Sequence, residues 1–420
     1  MAAIKKSFYA LLSLPSTAMG FALSVQIATL SWILNTKYGF DIHEVGLVWL
    51  AGPVAGILGQ VIVGFISDNV WVWNGRRRPF ILIGGTIAAL MILALPHIDT
   101  IGNALGIPSL IAVAIGIALT LDLAINVSFN PARSIIADVT PEGEARTKGY
   151  TWMQTISGFF GVLAYLMSAY IGNYFLIYVG AFFVLLASVI PTLFIKEPRH
   201  LEEPIADETI SEATSKPTNW VAFLKICLAH AFTWVGVQTM FIYVFAYIKS
   251  NVMGFETTAS LSEAQNNEIG SKIGIAFAIL NTVGFILPAF VLEPLAEKIG
   301  RVRTHTLAIA IMAIGYGLIV AFGQSVTALY LLMAVVGIGW SAVVSLPFAI
   351  MSEVVDQRKM GLMMGLFNLS VVLPQIVASN LGGFIEAQPD KNVIFTISAA
   401  MLGISALLWL LVKEQGGKQA

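Results

Sequence analysis

Residues 107–139 read IPSLIAVAIGIALTLDLAINVSFNPARSIIADV, and this stretch decides what kind of fold the chain adopts. About 20 apolar residues at 1.5 Å each span the hydrocarbon core of a bilayer, so the run is long enough to cross as a helix. It nevertheless carries Asp122 in its middle. A carboxylate at that depth costs roughly 3 kcal/mol or more and marks a functional site by default.

The pattern continues on both sides. The 420 residues are 57% hydrophobic and 11% charged, whereas a soluble domain is about a quarter charged. Apolar runs recur along the whole length, at about 7–36, 43–67, 79–97, 107–138, 145–171, 173–195, 218–249, 269–296, 303–323, 326–352, 358–386 and 391–413. The fold class is therefore an all-α membrane protein of twelve transmembrane helices. The first run is too long and too uninterrupted for a cleaved leader and reads as a membrane helix. A net charge of -1 points to no nucleic-acid or acidic partner. Cys227, the single cysteine, lies in an apolar segment and reads as a buried small hydrophobe. The histidines are expected at or near helix ends and form no metal-ligand spacing, so neither a metal nor a cofactor is expected.

Lys and Arg fall mostly on one side of this scheme, at Lys5, Lys6, the Arg76–Arg78 run, Arg146, Arg301 and Lys413 among others; the opposite loops hold Lys37, Lys249, Lys272 and Lys391. By the positive-inside rule both termini are cytoplasmic. The most polar segment, about Lys196 to Asn219, holds five acidic residues between Glu202 and Glu212 and reads as a linker. The division is a first six-helix bundle over 1–195, a cytoplasmic linker over 196–217 and a second bundle over 218–420. Gly254 to Asn267 reads as an exposed loop on the other side.

The two halves repeat one another. Gly64 to Asp68 followed by Gly75-Arg76-Arg77-Arg78 joins helices two and three, and Pro294 to Arg303, with Glu297, Gly300 and Arg301, joins eight and nine. Pro131 to Asp138 with Arg146 and Gly149 is echoed by Pro347 to Glu353 with Arg358 and Gly361. Such a repeat implies two pseudo-symmetric six-helix bundles around a central cavity.

Gly64 to Asp68 with Gly75 to Arg78, and its repeat after helix eight, resembles the signature loop of the major facilitator superfamily. Within it, Trp49 to Pro53, Gly75 to Ile81, Leu121 to Asn126, Pro131 to Asp138, Pro347 to Ala349, Leu366 to Leu369 and Pro374-Gln375 are similar to the sucrose-transporter-like branch of the glycoside-pentoside-hexuronide:cation symporters. The resemblance spans the chain and implies a major facilitator fold and a sugar symporter, of the kind found as bacterial sucrose or maltose proton symporters. It also ties the aspartate of the Leu121–Asn126 motif to proton coupling, a role carried here by Asp122.

Helical spacing places Asp122, Asn126, Phe129 and Arg133 on one face of helix four. Asp122 and Arg133 are about 16 Å apart along the axis, too far to pair. Asp122 is thus either paired with another helix or neutral through protonation, since leaving water favours the uncharged form of a carboxyl group. A permanently protonated, structural aspartate is the alternative. Sodium needs several hard oxygen ligands, and the melibiose-type relatives resembled more distantly use further acidic residues on helix two. None occurs between Val45 and Ser67, where Gln60 stands instead, so H+ is the expected coupling ion.

Neutral sugars are held by amides that bond paired hydroxyls and by aromatic rings that stack on pyranose faces. Gln26, Asn126, Trp152, Gln154, Trp234, Gln238, Phe241, Asn281, Asn368 and Gln375 are the expected substrate ligands, although a membrane amide taken alone more often cross-links helices. At the cytoplasmic ends a latch is expected in which Asp68 and Glu297 pair with the following arginines, Arg76, Arg77 and Arg301, with Arg133 and Asp138 joining them. No nucleotide-binding loop, HExxH or Gly-x-Ser-x-Gly is present, so an enzyme is not expected. The reading is a proton-coupled importer of a neutral α-glucoside disaccharide, maltose or sucrose, monomeric, in lipid, in a bacterial inner membrane. A sodium-coupled galactoside symporter and an efflux transporter of small organic solutes are the alternatives.

Overall fold

In the computed structural model, which describes residues 5–56, 71–140, 144–197, 217–256, 259–356 and 360–414, the regular elements are helices apart from an isolated bridge between Val72 and Gly75. The chain divides into two compact units, residues 1–39 with 47–206 and residues 40–46 with 207–420. The first half supplies α1 (Lys6–Thr36), α2 (Ile42–Trp49, helical again over 51–56), α3 (Arg78–Ala94), α4 (Leu110–Val139), α5 (Glu144–Tyr170) and α6 (Asn173–Phe194). The second supplies α7 (Trp220–Tyr247), α8 (Glu263–Leu287), α9 (Arg301–Phe322), α10 (Val326–Ser352), α11 (Met360–Ser379) and α12 (Val393–Trp409).

Among the described residues nine helices are long and apolar enough to cross a bilayer, and α12 is a shorter apolar one. Of the remaining two, α5 is diluted by Gln154, Thr155, Ser157 and Gly158, and α2 runs on into residues outside the described set. The protein is an all-α integral membrane protein with the twelve-helix fold.

Within the first unit α1 packs on α4, α5 and α6, and α3 packs on α4 and α6. Within the second, α7 packs on α10, α11 and α12, and α9 packs on α10 and α12. Adding six to each helix number of the first set gives the second, so the repeated motifs sit on repeated packing. Small residues bring these helices together, as expected where lipid removes the hydrophobic drive between them. A Cβ at Gly84 would come within 2.1 Å of Ser128 Oγ on α4, and one at Gly85 within 2.1 Å of Ser188 Oγ on α6. Two consecutive glycines thus let α3 touch both neighbours. In the second unit Ser398 of α12 donates to the Gly236 carbonyl of α7 at 2.8 Å.

Several boundaries differ from the sequence reading. Pro96 lacks an N–H, so α3 tightens into a 3-10 turn over Leu95–His97, but the chain resumes as Ile98–Leu105 and stops at Gly106 in a left-handed conformation (φ 68°). The eighth helix starts at Glu263, inside the stretch expected to be loop, because Ser262 and Gln265 form a reciprocal capping box. The eleventh ends at Ser379, with a separate short helix over Gly382–Ala387. Of the expected linker, 198–216 lie outside the described residues, as do Asp68 and the rest of its Gly64–Asp68 motif.

Candidate functional site

Asp122 sits midway along α4 and is 6% exposed. Its side chain meets α1, where Gln26, 2% exposed, donates from Nε2 to Asp122 Oδ2 at 3.0 Å. The helix over 51–56 closes a third side, since a Cβ at Gly52 would lie 3.4 Å from the same oxygen. Trp49 helps hold that helix in place by donating its indole N–H to Ser31 Oγ of α1 at 2.8 Å. Asn126, one turn on, donates to the Asp122 backbone carbonyl at 2.8 Å. Among the described residues no cation forms an ion pair with Asp122. An ionised carboxylate here is therefore held by one neutral donor, and the cost of removing its charge from water is largely uncompensated.

Of the first-half residues expected to bind sugar, Gln26 and Asn126 gather at Asp122. Trp152 instead stacks on Tyr9, with ring centroids 6.5 Å apart and planes 21° from parallel. Gln154 is exposed on α5. Arg133 lies with its guanidinium carbon 4.1 Å from the Phe129 ring centroid, a cation–π contact within α4.

The second unit gathers an aromatic and amide cluster. Trp340 of α10 lies edge-on to Trp234 (6.2 Å) and to Phe241 (5.4 Å), both on α7, and Phe241 lies against Phe277 of α8 (5.3 Å). Trp340 donates its indole N–H to Asn281 Oδ1 of α8 at 3.3 Å. Gln375 of α11 donates to Gln238 Oε1 of α7 at 3.4 Å. Thus Trp234, Phe241 and Asn281 come together around a tryptophan that the sequence reading did not single out. Its signal was local: Gly337 and Gly339 precede it on α10, and Gly284 opposite leaves room, because a Cβ there would meet Trp340 Cδ1 at 2.7 Å. Asn368 is half-buried on α11.

The placement of histidines at helix ends is corrected for His230. It lies inside α7, 1% exposed, where its Nε2 accepts the Trp234 indole N–H at 2.9 Å and its ring stacks on Phe367 at 5.0 Å. An accepting Nε2 carries no proton, so the neutral ring bears its hydrogen on Nδ1.

A second constellation joins the loop between α2 and α3 to the ends of α4 and α6. Arg77 Nε donates to Asp138 Oδ2 at 3.0 Å, both side chains 9% exposed. Glu197, just past α6, accepts from the backbone N–H groups of Arg76, Arg77 and Arg78 at 2.8–2.9 Å, an anion at the start of α3. The other half repeats this. Arg301 pairs with Glu353 at the end of α10, and Glu414 past α12 accepts from the N–H groups of Arg301 and Val302 at 2.8 and 2.9 Å. Partial burial holds the Glu353 carboxyl above the usual value, with Arg301 offsetting part of the shift. The latch expected between Arg301 and Glu297 is corrected: Glu297 is exposed and Glu353 takes the guanidinium. Glu197 and Glu414 were missed, although Ile195-Lys196-Glu197 and Val412-Lys413-Glu414 repeat one pattern at the end of each half.

A family model described as MFS/sugar transport protein matches residues 8–412. A sucrose transport protein of Arabidopsis thaliana is 25% identical, with 89% of this chain and 84% of that protein covered. Another from Oryza sativa subsp. indica is 25% identical over 97% of this chain and 88% of its own length. Among solved structures, a D-xylose-proton symporter superposes with TM-score 0.71 at 16% identity, covering 99% of each chain. A nucleoside transporter superposes with TM-score 0.69 at 13% identity, covering 96% of this chain and 98% of its own. At these identities the superpositions speak to fold alone. Matched by one family model from α1 to the end of α12, and built of two halves with the same helix packing, the chain belongs to the MFS/sugar transport family of the major facilitator superfamily, whose members are membrane transporters rather than enzymes.

Proposed function

We propose that this protein is a proton-coupled symporter that imports a neutral α-glucoside disaccharide, maltose or sucrose, by alternating access. The observation that carries the reading is Asp122, a carboxylate buried in mid-helix beside Gln26 with no paired cation among the described residues. A group so placed is costly when charged and cheap when protonated, which is the property that links proton uptake to movement. The N–H of Gln26 aimed at its Oδ2 is a donor and suits a proton site better than a sodium site, where oxygen lone pairs would point inward. Aromatic rings and uncharged amides in the second unit, and the sucrose transport proteins among the relatives, support a neutral hydroxyl-rich solute.

In the cycle, proton and sugar enter from outside, neutral Asp122 permits closure over the sugar, the arginine–carboxylate clamps open, and both are released inside. The protein acts as a monomer in a bacterial inner membrane with both termini cytoplasmic.

The test is uptake of labelled maltose and, separately, sucrose into proteoliposomes under an inward proton gradient. The wild type accumulates one of them, whereas Asp122→Asn loses accumulation but still exchanges preloaded for external sugar. Accumulation that follows sodium instead of protons, or outward flux of apolar compounds, would replace this reading.

A further inference from the structure

Gln26 Oε1 is buried and has no hydrogen-bond partner, while the Nε2 of the same amide donates to Asp122. Ionised, a carboxyl group only accepts; protonated, it gains one O–H donor. A primary amide offers both kinds of group on one planar head, so it can serve either charge state of an adjacent acid. We propose that Gln26 is the partner of the coupling proton: ionised Asp122 accepts from Gln26 Nε2, and protonated Asp122 donates its O–H to Gln26 Oε1. This rests on the proton-coupling reading above.

The surroundings favour this pairing. The Asn126 amide is turned onto the Asp122 backbone carbonyl. Among the described residues there is no titratable side chain beyond Tyr9 on α1, beyond Glu44 on α2 as far as residue 56, or beyond Arg78 on α3; of the helices packed on α1, α5 brings the buried Tyr165, which is bonded to Ser24, and α6 carries Tyr174 and Tyr178 in its first turns. Among the described residues the Gln26 carbonyl has no donor, and protonation of the acid supplies one. The proton arrives from water on one side and leaves to water on the other, and Gln26 neither gains nor loses one. It is a positioning residue that keeps α1 tied to α4 in both charge states, with the direction of the hydrogen bond changing. The amide expected to bind sugar is committed to the acid.

Infrared difference spectra of the reconstituted protein between high and low pH test this. The wild type shows a protonated-carboxyl stretching band that Asp122→Asn removes, and a side-chain carbonyl band of 13C-labelled glutamine that shifts to lower frequency in the same pH step. Gln26→Leu, with Gln26→Met as a second apolar variant, moves the Asp122 band to higher frequency, as for an acid without an acceptor. An unshifted Asp122 band in a folded variant, or a glutamine band indifferent to pH in the unaltered protein, overturns the proposal. Failure to find any band that Asp122→Asn removes overturns the proton-coupling reading itself.

Discussion

Asp122 was legible in the sequence because a carboxylate in an apolar run of bilayer length is costly and marks a functional site by default. Gln26 was legible only as a polar residue; that its amide meets Asp122 needed the packing of α1 on α4. His230 is the converse case. Nothing in its sequence neighbourhood distinguishes it, yet its Nε2 accepts the Trp234 indole N–H and thereby orients one wall of the aromatic cluster. His230→Leu should raise the KM for sugar by about 2- to 10-fold, the worth of one net hydrogen bond, with little change in kcat. His230→Asn, which keeps an acceptor, should recover part of the loss. Uptake kinetics of the two variants side by side decide this, and equal KM values would leave the indole bond without a role. Trp340, which touches Trp234 and Phe241 and donates to Asn281, carries more contacts. Trp340→Ala should abolish sugar binding in an equilibrium binding assay and also lower the unfolding temperature, whereas Trp340→Phe, which keeps a ring but not the N–H, should retain part of both.

At the scale of elements, the two arginine–carboxylate clamps repeat in position and differ in burial. Both Arg77 and Asp138 are 9% exposed, whereas Arg301 and Glu353 are 48% and 28% exposed. Removing one partner of a buried pair strands the other and costs about 3–5 kcal/mol, while an exposed pair contributes about 1 kcal/mol or less. Arg77→Gln should therefore lower the unfolding temperature in detergent far more than Arg301→Gln, and equal shifts would show that burial does not set the difference. The turn before α12 makes a pH prediction. Asp390 accepts from Asn251 Nδ2 at 2.7 Å and from the Asn392 backbone N–H at 2.9 Å, and these donors hold its carboxyl below the usual 3.8. A carboxyl depressed in the folded state stabilises it above its unfolded value and loses that contribution as pH falls through the folded one. The wild type should thus outlast Asp390→Ala in thermal unfolding at pH 7, with the gap closing below pH 3.8. Element limits were only partly legible, and Pro96 shows why: a missing N–H weakens one turn but does not end a helix whose next residues are still packed.

For the molecule as a whole, the proposed orientation places the arginine-rich loops inside. Trp73 and Leu105, 64% and 66% exposed, lie at opposite ends of the α3 segment. In a Cys227→Ser background, Trp73→Cys should react with a membrane-impermeant thiol reagent only in inside-out vesicles and Leu105→Cys only in right-side-out ones; the reverse pattern would invert the topology. The sequence by itself determined the membrane class, the twofold repeat of six helices and the single mid-helix carboxylate, because apolar runs of bilayer length and a charge within one carry their cost locally. Tertiary structure alone decided the partners: Gln26 for Asp122, His230 for Trp234, Asp138 and Glu353 for the arginines. The reason is geometric, since which side chains meet across helices depends on how deeply glycines such as Gly84 and Gly85 let neighbouring backbones approach, and no periodicity within one helix records that.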